Sequence, residues 1–393
     1  MDRFLPYSRQ HIDQDDIKAV VDVLESKLIT QGPQIEKFEA ALANYVGAKY
    51  AVACATGTAA LHLCCLALGL GAGSKVLTSP LTFLASANCA QYVGAETLFC
   101  DIDDSLCLSV PLLEELLKQQ QVDAVIPVHF AGHSTDMAAL NELREIFGFY
   151  VIEDAAHALG GEYADCRVGS CEYSDLAVFS FHPVKHMTTG EGGAITTNDE
   201  ELYKRLKLFR THGMSKEADR FVNTSIAYDS DGQPNSWYYE MKEPGFNYRI
   251  TDLQCALGLS QLSKLDKFVA RRREIAMQYE DSFRDVETII IPTEAENAKH
   301  AYHLYALQFE FDKLGLSRNQ MMDTLRKANI GTQVMYIPVH LQPYYRSKYG
   351  HTFGDYPISE KYYERCLSIP IFPGMDEKEV DYVVTNIIEL VGR

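Results

Sequence analysis

Residues 51–60 read Ala51-Val52-Ala53-Cys54-Ala55-Thr56-Gly57-Thr58-Ala59-Ala60. The first five form an apolar run of the length of a buried strand. Thr56-Gly57-Thr58 turns the chain, and a helix follows from Ala59 to Leu68. A strand that passes through a glycine turn into a helix opens a βαβ unit. The free N–H groups at that helix end, the threonine hydroxyls and the helix dipole make an anion site. An ordinary capped helix end reads the same way. No Lys-Ser or Lys-Thr pair follows, so this is not a Walker loop.

The alternation repeats downstream. Lys75–Ser79, Ala95–Asp101, Val122–Phe130, Tyr150–Glu153 and Asp175–Phe181 read as strands. Phe83–Tyr92, Leu112–Gln120, Met137–Phe147 and Glu200–Arg210 read as helices. This spacing predicts an α/β fold with a mostly parallel, buried sheet. Ligands in such sheets bind beyond the carboxyl ends of the strands. The places to inspect are therefore Thr56–Thr58, Pro80–Phe83, His129–His133, Asp154–His157 and His182–Lys185.

Upstream, residues 1–12 read as an irregular arm. Asp13 caps a helix that runs to about Ser26, and Gly32-Pro33 breaks the chain before a second helix bearing Ile35, Phe38, Ala41, Leu42 and Tyr45. Beyond the alternating region, residues 212–246 are a long polar, aromatic stretch holding Trp237, of a length that is either functional or disordered. Thr251 caps one long helix with Leu259, Leu262, Leu265 and Val269 at spacings of three and four, reaching about Phe283. Thr288–Ile291, Tyr302–Phe311 and Thr332–Ile337 then read as strands, Arg318–Ala328 and Lys378–Leu390 as helices. The expected division is an arm and large domain over 1–250, a connecting helix over 251–284, and a smaller α+β domain over 285–393.

The chain has 393 residues, enough for about two domains, with 47% hydrophobic and 23% charged residues, as in globular proteins. Its 36 Lys and Arg against 54 Asp and Glu give a net charge of −18, which offers no footprint for nucleic acid or an anionic membrane. The Arg271-Arg272-Arg273 run lies in a helical stretch and reads as a solvated face. Ten cysteines stand in no C-x-x-C pair, the pattern of a reducing compartment. Met1–Pro6 lacks a signal-peptide apolar core, and no apolar run reaches the ~18 residues of a membrane helix. A cytoplasmic location is expected.

The chemistry centres on Phe179-Ser180-Phe181-His182-Pro183-Val184-Lys185-His186-Met187-Thr188-Thr189-Gly190-Glu191-Gly192-Gly193, a strand that runs into a glycine-rich loop. Lys185 at the strand mouth is a candidate Schiff-base amine if its surroundings lower its pKa; a solvated loop lysine is the plain alternative. Asp154, at the end of another strand, suits a cationic ring nitrogen, and equally a cap. His129, His133, Asp136, Asp154 and His157 offer metal ligands, but their spacing matches no metal signature. Tyr336, His340, Tyr344 and Tyr345 form an aromatic cluster suited to a sugar or a base, or to packing. An anion cradle at Thr58, an aromatic at Phe83, then Asp154 and Lys185 at strand ends, is an order that suits pyridoxal 5'-phosphate: phosphate, ring cover, ring nitrogen and aldehyde in turn.

Asp154-Ala155-Ala156-His157, the Phe179–Lys185 stretch with Thr189–Gly193, and Gly245-Phe246-Asn247-Tyr248-Arg249-Ile250-Thr251-Asp252 resemble the DegT/DnrJ/EryC1/StrS sugar aminotransferases. The resemblance covers nearly the whole chain. It implies a fold-type I pyridoxal-phosphate enzyme with a mixed, mostly parallel seven-stranded sheet flanked by helices, a smaller α+β domain and a homodimeric assembly. It implies that Lys185 links to the cofactor, Asp154 pairs with the pyridinium nitrogen, and His157 lies near the ring hydroxyl. Thr58, Ala59 and Ser180 would bind the phosphate. Asn247, with Arg249 near it, would reach the cofactor of the partner subunit, and Tyr7, Lys27, His182, Arg249 and Tyr336 would face substrate. Tyr7-Ser8, Ser236–Glu240 and Leu257–Leu262 resemble the pseudaminic-acid branch of the family. That branch implies L-glutamate as donor and a UDP-linked 4-keto sugar as acceptor. Some proteins of this fold carry histidine at the lysine position and act as dehydratases; Lys185 favours transamination.

Overall fold

The structure, a computed structural model, describes residues 3–392. The large sheet holds β1 (Tyr50–Cys54), β2 (Lys75–Thr78), β3 (Glu96–Phe99), β4 (Ala124–Ile126), β5 (Tyr150–Asp154), β6 (Leu176–Ser180) and β7 (Gly193–Thr197). Their order across this seven-stranded sheet is β1-β7-β6-β5-β4-β2-β3. β7 is antiparallel to both its neighbours. The pairs β2–β3, β2–β4, β4–β5 and β5–β6 are parallel. The expected mixed, mostly parallel sheet is therefore present.

Helices cover both faces, which is why the strands read as unbroken apolar runs. They are α1 (Gln14–Leu24), α2 (Pro33–Val46), α3 (Gly57–Ala67), α4 (Leu84–Tyr92), α5 (Val110–Leu117), α6 (Met137–Phe147), α7 (Glu200–Arg210), α8 (Asp252–Leu262) and α9 (Leu265–Phe283). The period of two in a strand sorts β1 between two cores. Val52 and Cys54 pack with α3, α4 and α7, whereas Ala51 and Ala53 pack with α2, α8 and α9. Leu113, Leu117, Leu140 and Leu143 of α5 and α6 bury against Leu77, Val125 and Val151 of the sheet.

A second sheet follows, antiparallel, in the order β8 (Ile289–Ile290), β9 (Tyr305–Phe309), β10 (Cys366–Ile369). Its core takes Ile275, Tyr279 and Phe283 from α9, Met321 and Leu325 from α10 (Arg318–Lys327), and Val380, Val383 and Ile387 from α11 (Glu377–Val391). The N-terminal arm is tied down rather than loose. Leu5 is fully buried in this second core, its N–H donating to Asn329 O at 2.8 Å.

Three expectations need correction. Arg272, read within a solvated face, is fully buried in α9. The long helix from Thr251 is two helices, α8 and α9. Lys264 leaves the helical line between them and its ammonium meets Asp16 at 2.9 Å and Asp13 at 2.5 Å, at the start of α1. Residues 332–337 are not a strand: one bridge, Gln333 to Ser368, is their ladder, and Gln333–Tyr336 instead wall a crevice. Residues 212–246, read as either functional or disordered, fold around the Glu240 carboxylate, which accepts from Val222 N and Asn223 N and from the Tyr238 hydroxyl.

Candidate active site

The carboxyl ends of β1, β2, β4, β5 and β6 open on one crevice of about 580 Å³. Asp154 ends β5 and Ser180 ends the adjacent, parallel β6, so the topology brings them side by side. Asp154 is 6% exposed; its Oδ2 accepts from Ser86 Oγ at 2.5 Å and its Oδ1 from Ala156 N at 3.2 Å. Ser86 in turn stands 2.7 Å from the Thr82 hydroxyl. These contacts fix the carboxylate plane, and an ionised carboxylate has lone pairs left for a cationic partner.

Lys185 follows β6 on a turn closed by its own N–H to His182 O at 2.9 Å. Its Nζ lies 3.5 Å from His303 Nε2. Enclosure lowers the amine from 10.5 to about 8, against the opposing pull of the Asp154 charge. The condition set for a reactive lysine is met: near neutrality a useful fraction carries a lone pair.

The phosphate-type site is built by close approach. Thr56 caps α3, its Oγ1 accepting from Ala59 N at 3.0 Å. That uses the Ala59 N–H and leaves Gly57 and Thr58 at the open first turn, where backbone N–H groups and the helix dipole favour an anion. A Cβ on Gly193 would stand 2.5 Å from the Thr56 carbonyl oxygen and 2.6 Å from Gly57 N, so only glycine lets β7 pass there. A Cβ on Gly57 would meet Ser180 Cβ at 3.0 Å, which keeps the Ser180 hydroxyl beside the helix start.

His157 is 5% exposed. Burial, with the Lys185 and His186 charges, holds it well below its ordinary pKa, so it is neutral. Its Nε2 is 3.3 Å from the Tyr336 hydroxyl, and its Nδ1 has no partner among the described residues. Phe83 is half exposed at the mouth, its ring 5.9 Å from that of Tyr336. A helix terminus for a phosphate, a fixed carboxylate for a ring nitrogen, an amine of lowered pKa and an orphaned imidazole nitrogen together fit pyridoxal phosphate.

Of the expected site residues, Tyr7, Thr58, Phe83, Asp154, His157, Ser180, His182, Lys185 and Tyr336 line this crevice. Ala59 is buried behind it. The exposed Lys27 and Asn247 and the half-buried Arg249 lie outside it, Asn247 bridged to Thr211. His340 is not with Tyr336 but buried against Glu360 at 2.8 Å, and Tyr345 donates to Asn88 at 2.8 Å. His129 turns its Nε2 to Glu153 at 2.9 Å, and among the described residues no three His, Cys, Asp or Glu gather as metal ligands. Two partners of the site escaped the sequence reading: Ser86 and His303. Ser86 carried a signal, since Thr82 and Ser86 are four apart at a helix start; His303 carried none, coming from a segment 118 residues after Lys185.

Residues 10–388 match the model of the DegT/DnrJ/EryC1/StrS aminotransferase family. The chain belongs to that family. The spore coat polysaccharide biosynthesis protein SpsC of Bacillus subtilis is 42% identical over 389 residues, 99% of this chain and 97% of its own. The UDP-4-amino-4-deoxy-L-arabinose–oxoglutarate aminotransferase of Shewanella sediminis is 36% identical over 396 residues, covering 99% of each chain. The solved structure of PseC from Helicobacter pylori, an aminotransferase involved in the biosynthesis of pseudoaminic acid, superposes with a TM-score of 0.89 at 29% identity, over 99% of this chain and 100% of PseC. The protein is a pyridoxal-phosphate-dependent sugar aminotransferase of fold type I.

Proposed function

We propose that this aminotransferase moves the amino group of L-glutamate to C4 of a UDP-linked 4-keto-6-deoxy-N-acetylhexosamine of the altrosamine type, toward pseudaminic acid and a surface glycan. The cofactor supplies an electron sink and carries the amine between the two substrates. Lys185 would anchor it through Nζ and, once free, would carry the proton between the substrate carbon, Cα of glutamate and then C4 of the sugar, and the cofactor carbon C4′. Asp154, held by Ser86 and the Ala156 N–H, keeps its negative charge against the ring nitrogen. Gly57, Thr58 and Ser180 would hold the phosphate, and Tyr7, Phe83, His182 and Tyr336 would face the sugar. Lys27, Asn247 and Arg249 lie outside their own crevice and serve the partner subunit's site in a homodimer.

The lowered amine of Lys185 beside the Asp154 strand end carries the transamination reading. Near-complete mutual coverage with PseC supports the hexosamine substrate. The 36% identity to the arabinose enzyme favours a second reading, a different UDP-linked 4-keto sugar. A panel of UDP-4-keto sugars with glutamate, followed by mass spectrometry of the amino sugar and assay of 2-oxoglutarate, separates them. The altrosamine precursor is expected to lead the panel by about tenfold or more in kcat/KM. A pentose, or a hexose of another configuration, in that place overturns the substrate assignment.

A further inference from the structure

Lys185 meets one residue from the far end of the chain. His303 lies on the segment leading into β9, 1% exposed, with Nε2 3.5 Å from Lys185 Nζ and Nδ1 unpartnered among the described residues. Its ring centroid is 4.4 Å from that of His157 and 5.6 Å from that of His186.

The segment is held there from two sides. The fully buried Arg272 of α9 donates Nη1 to the carbonyls of Tyr302 and His303 at 3.2 Å each and of Ile371 at 2.8 Å. From the large sheet's side, Ala301 N donates to Gly132 O at 2.9 Å and Leu304 N to Ala131 O at 3.2 Å. A Cβ on Gly132, whose φ is +108°, would stand 2.8 Å from Tyr302 N and 3.1 Å from His303 N. The backbone that carries His303 is thus pressed against the Ala131-Gly132 segment that follows β4, and glycine at 132 permits it.

We propose that His303 is a positioning residue for Lys185: its bare Nε2 takes a hydrogen bond from the lysine amine whenever that amine is free, and holds the nitrogen in one place at the crevice floor. This rests on the assignment of Lys185 as the amine that joins the cofactor. Burial first, then the Lys185 and Arg272 cations and the crowding of the His157 and His186 imidazoles, hold this imidazole well below its ordinary pKa, so it is neutral. A neutral imidazole offers one bare nitrogen, and against an amine donor that nitrogen is Nε2. The proton stays on the lysine, so His303 acts through Lys185 rather than on substrate. A contact of 3.5 Å is long, of the kind that tightens in a working complex. Without it the amine samples other rotamers, and misplacement by about 1 Å costs on the order of 10²-fold in rate.

Wild type, His303→Leu and His303→Gln are compared as holoenzymes. Borohydride must first fix the cofactor to Lys185 in the wild type. If it does not, the assignment of Lys185 falls, and this inference with it. With the link formed, His303→Leu is expected to lose about 10- to 100-fold in kcat with little change in sugar KM. The pH midpoint for acetic-anhydride labelling of Lys185 in the glutamate-treated enzyme should fall by about half a pH unit or more. His303→Gln, which keeps an acceptor, should recover most of both. If His303→Leu keeps the wild-type kcat and midpoint, or if folded His303→Gln recovers neither, the inference is overturned while the Lys185 assignment stands. Should His303→Leu not fold, the wild type decides. The 15Nε2 resonance of His303 is expected to differ between the glutamate-treated enzyme, whose lysine is free, and the borohydride-reduced enzyme, whose lysine is tied up, and an identical resonance in the two overturns the inference.

Discussion

At the floor of the crevice, Asp154, Ser180 and the Thr56–Thr58 turn sit on the ends of strands buried on both faces. At its rim, Phe83 and His182 stand exposed, and Lys27, Asn247 and Arg249 lie beyond it on other segments. The floor is over-determined: Asp154 is gripped by Ser86 and Ala156, Gly57 by Ser180, Gly193 by Thr56. The proposed function assigns cofactor chemistry to the floor and sugar choice to the rim.

Changes to the floor should damage the chemical step with little effect on sugar affinity. The largest effect is expected from Lys185→Ala, which removes both anchor and proton carrier, with a loss on the order of 10³-fold or more in kcat, read by 2-oxoglutarate release. Normal turnover in a purified Lys185→Ala would remove the lysine from the mechanism. Next comes Asp154→Asn, near-isosteric and still able to accept from Ser86. It should fold with an almost unchanged Tm yet lose about 10²-fold in kcat, because the charge that opposes the ring nitrogen is gone. Wild-type rates would take Asp154 out of the chemistry.

The pH dependence comes third. The neutral amine is the reactive form, and burial brings Lys185 down to about 8. Cofactor capture by the stripped enzyme should thus rise about tenfold per pH unit below that value and level off above it, as followed by absorbance. A lysine of ordinary pKa would keep rising to about 10.5. The sign on stability agrees. Between about 8 and 10.5 the unfolded chain binds more protons than the native one, so the stripped enzyme gains stability as pH climbs through that window.

The floor was also the legible part. Asp154 ends β5 and Lys185 sits on the turn that follows β6, so their order in the chain placed both beside the crevice. The gaps have physical causes. β7 is five residues behind a glycine run and runs antiparallel, outside the βαβ rhythm. The break at Lys264 leaves the leucine spacing of α8 and α9 intact, so periodicity passes over it. β10 is four residues ending before Pro370. His303 reaches Lys185 through tertiary packing, which no local pattern reports.

The rim should give the smallest effects, on a different axis. Lys27→Ala and Arg249→Ala are expected to leave chain stability within about 0.5 kcal/mol in urea melts, while raising the sugar KM several-fold with kcat nearly kept. A large drop in kcat at unchanged KM would move these residues from rim to floor.

The most direct measurement is on the unmodified enzyme: borohydride reduction followed by peptide mass spectrometry, with and without prior glutamate. A cofactor-sized mass is expected on Lys185, and its loss is expected when glutamate is added first. Cofactor fixed to any other lysine, or a Lys185 adduct that glutamate leaves untouched, would contradict the assignment of Lys185 as the amine that carries this transamination.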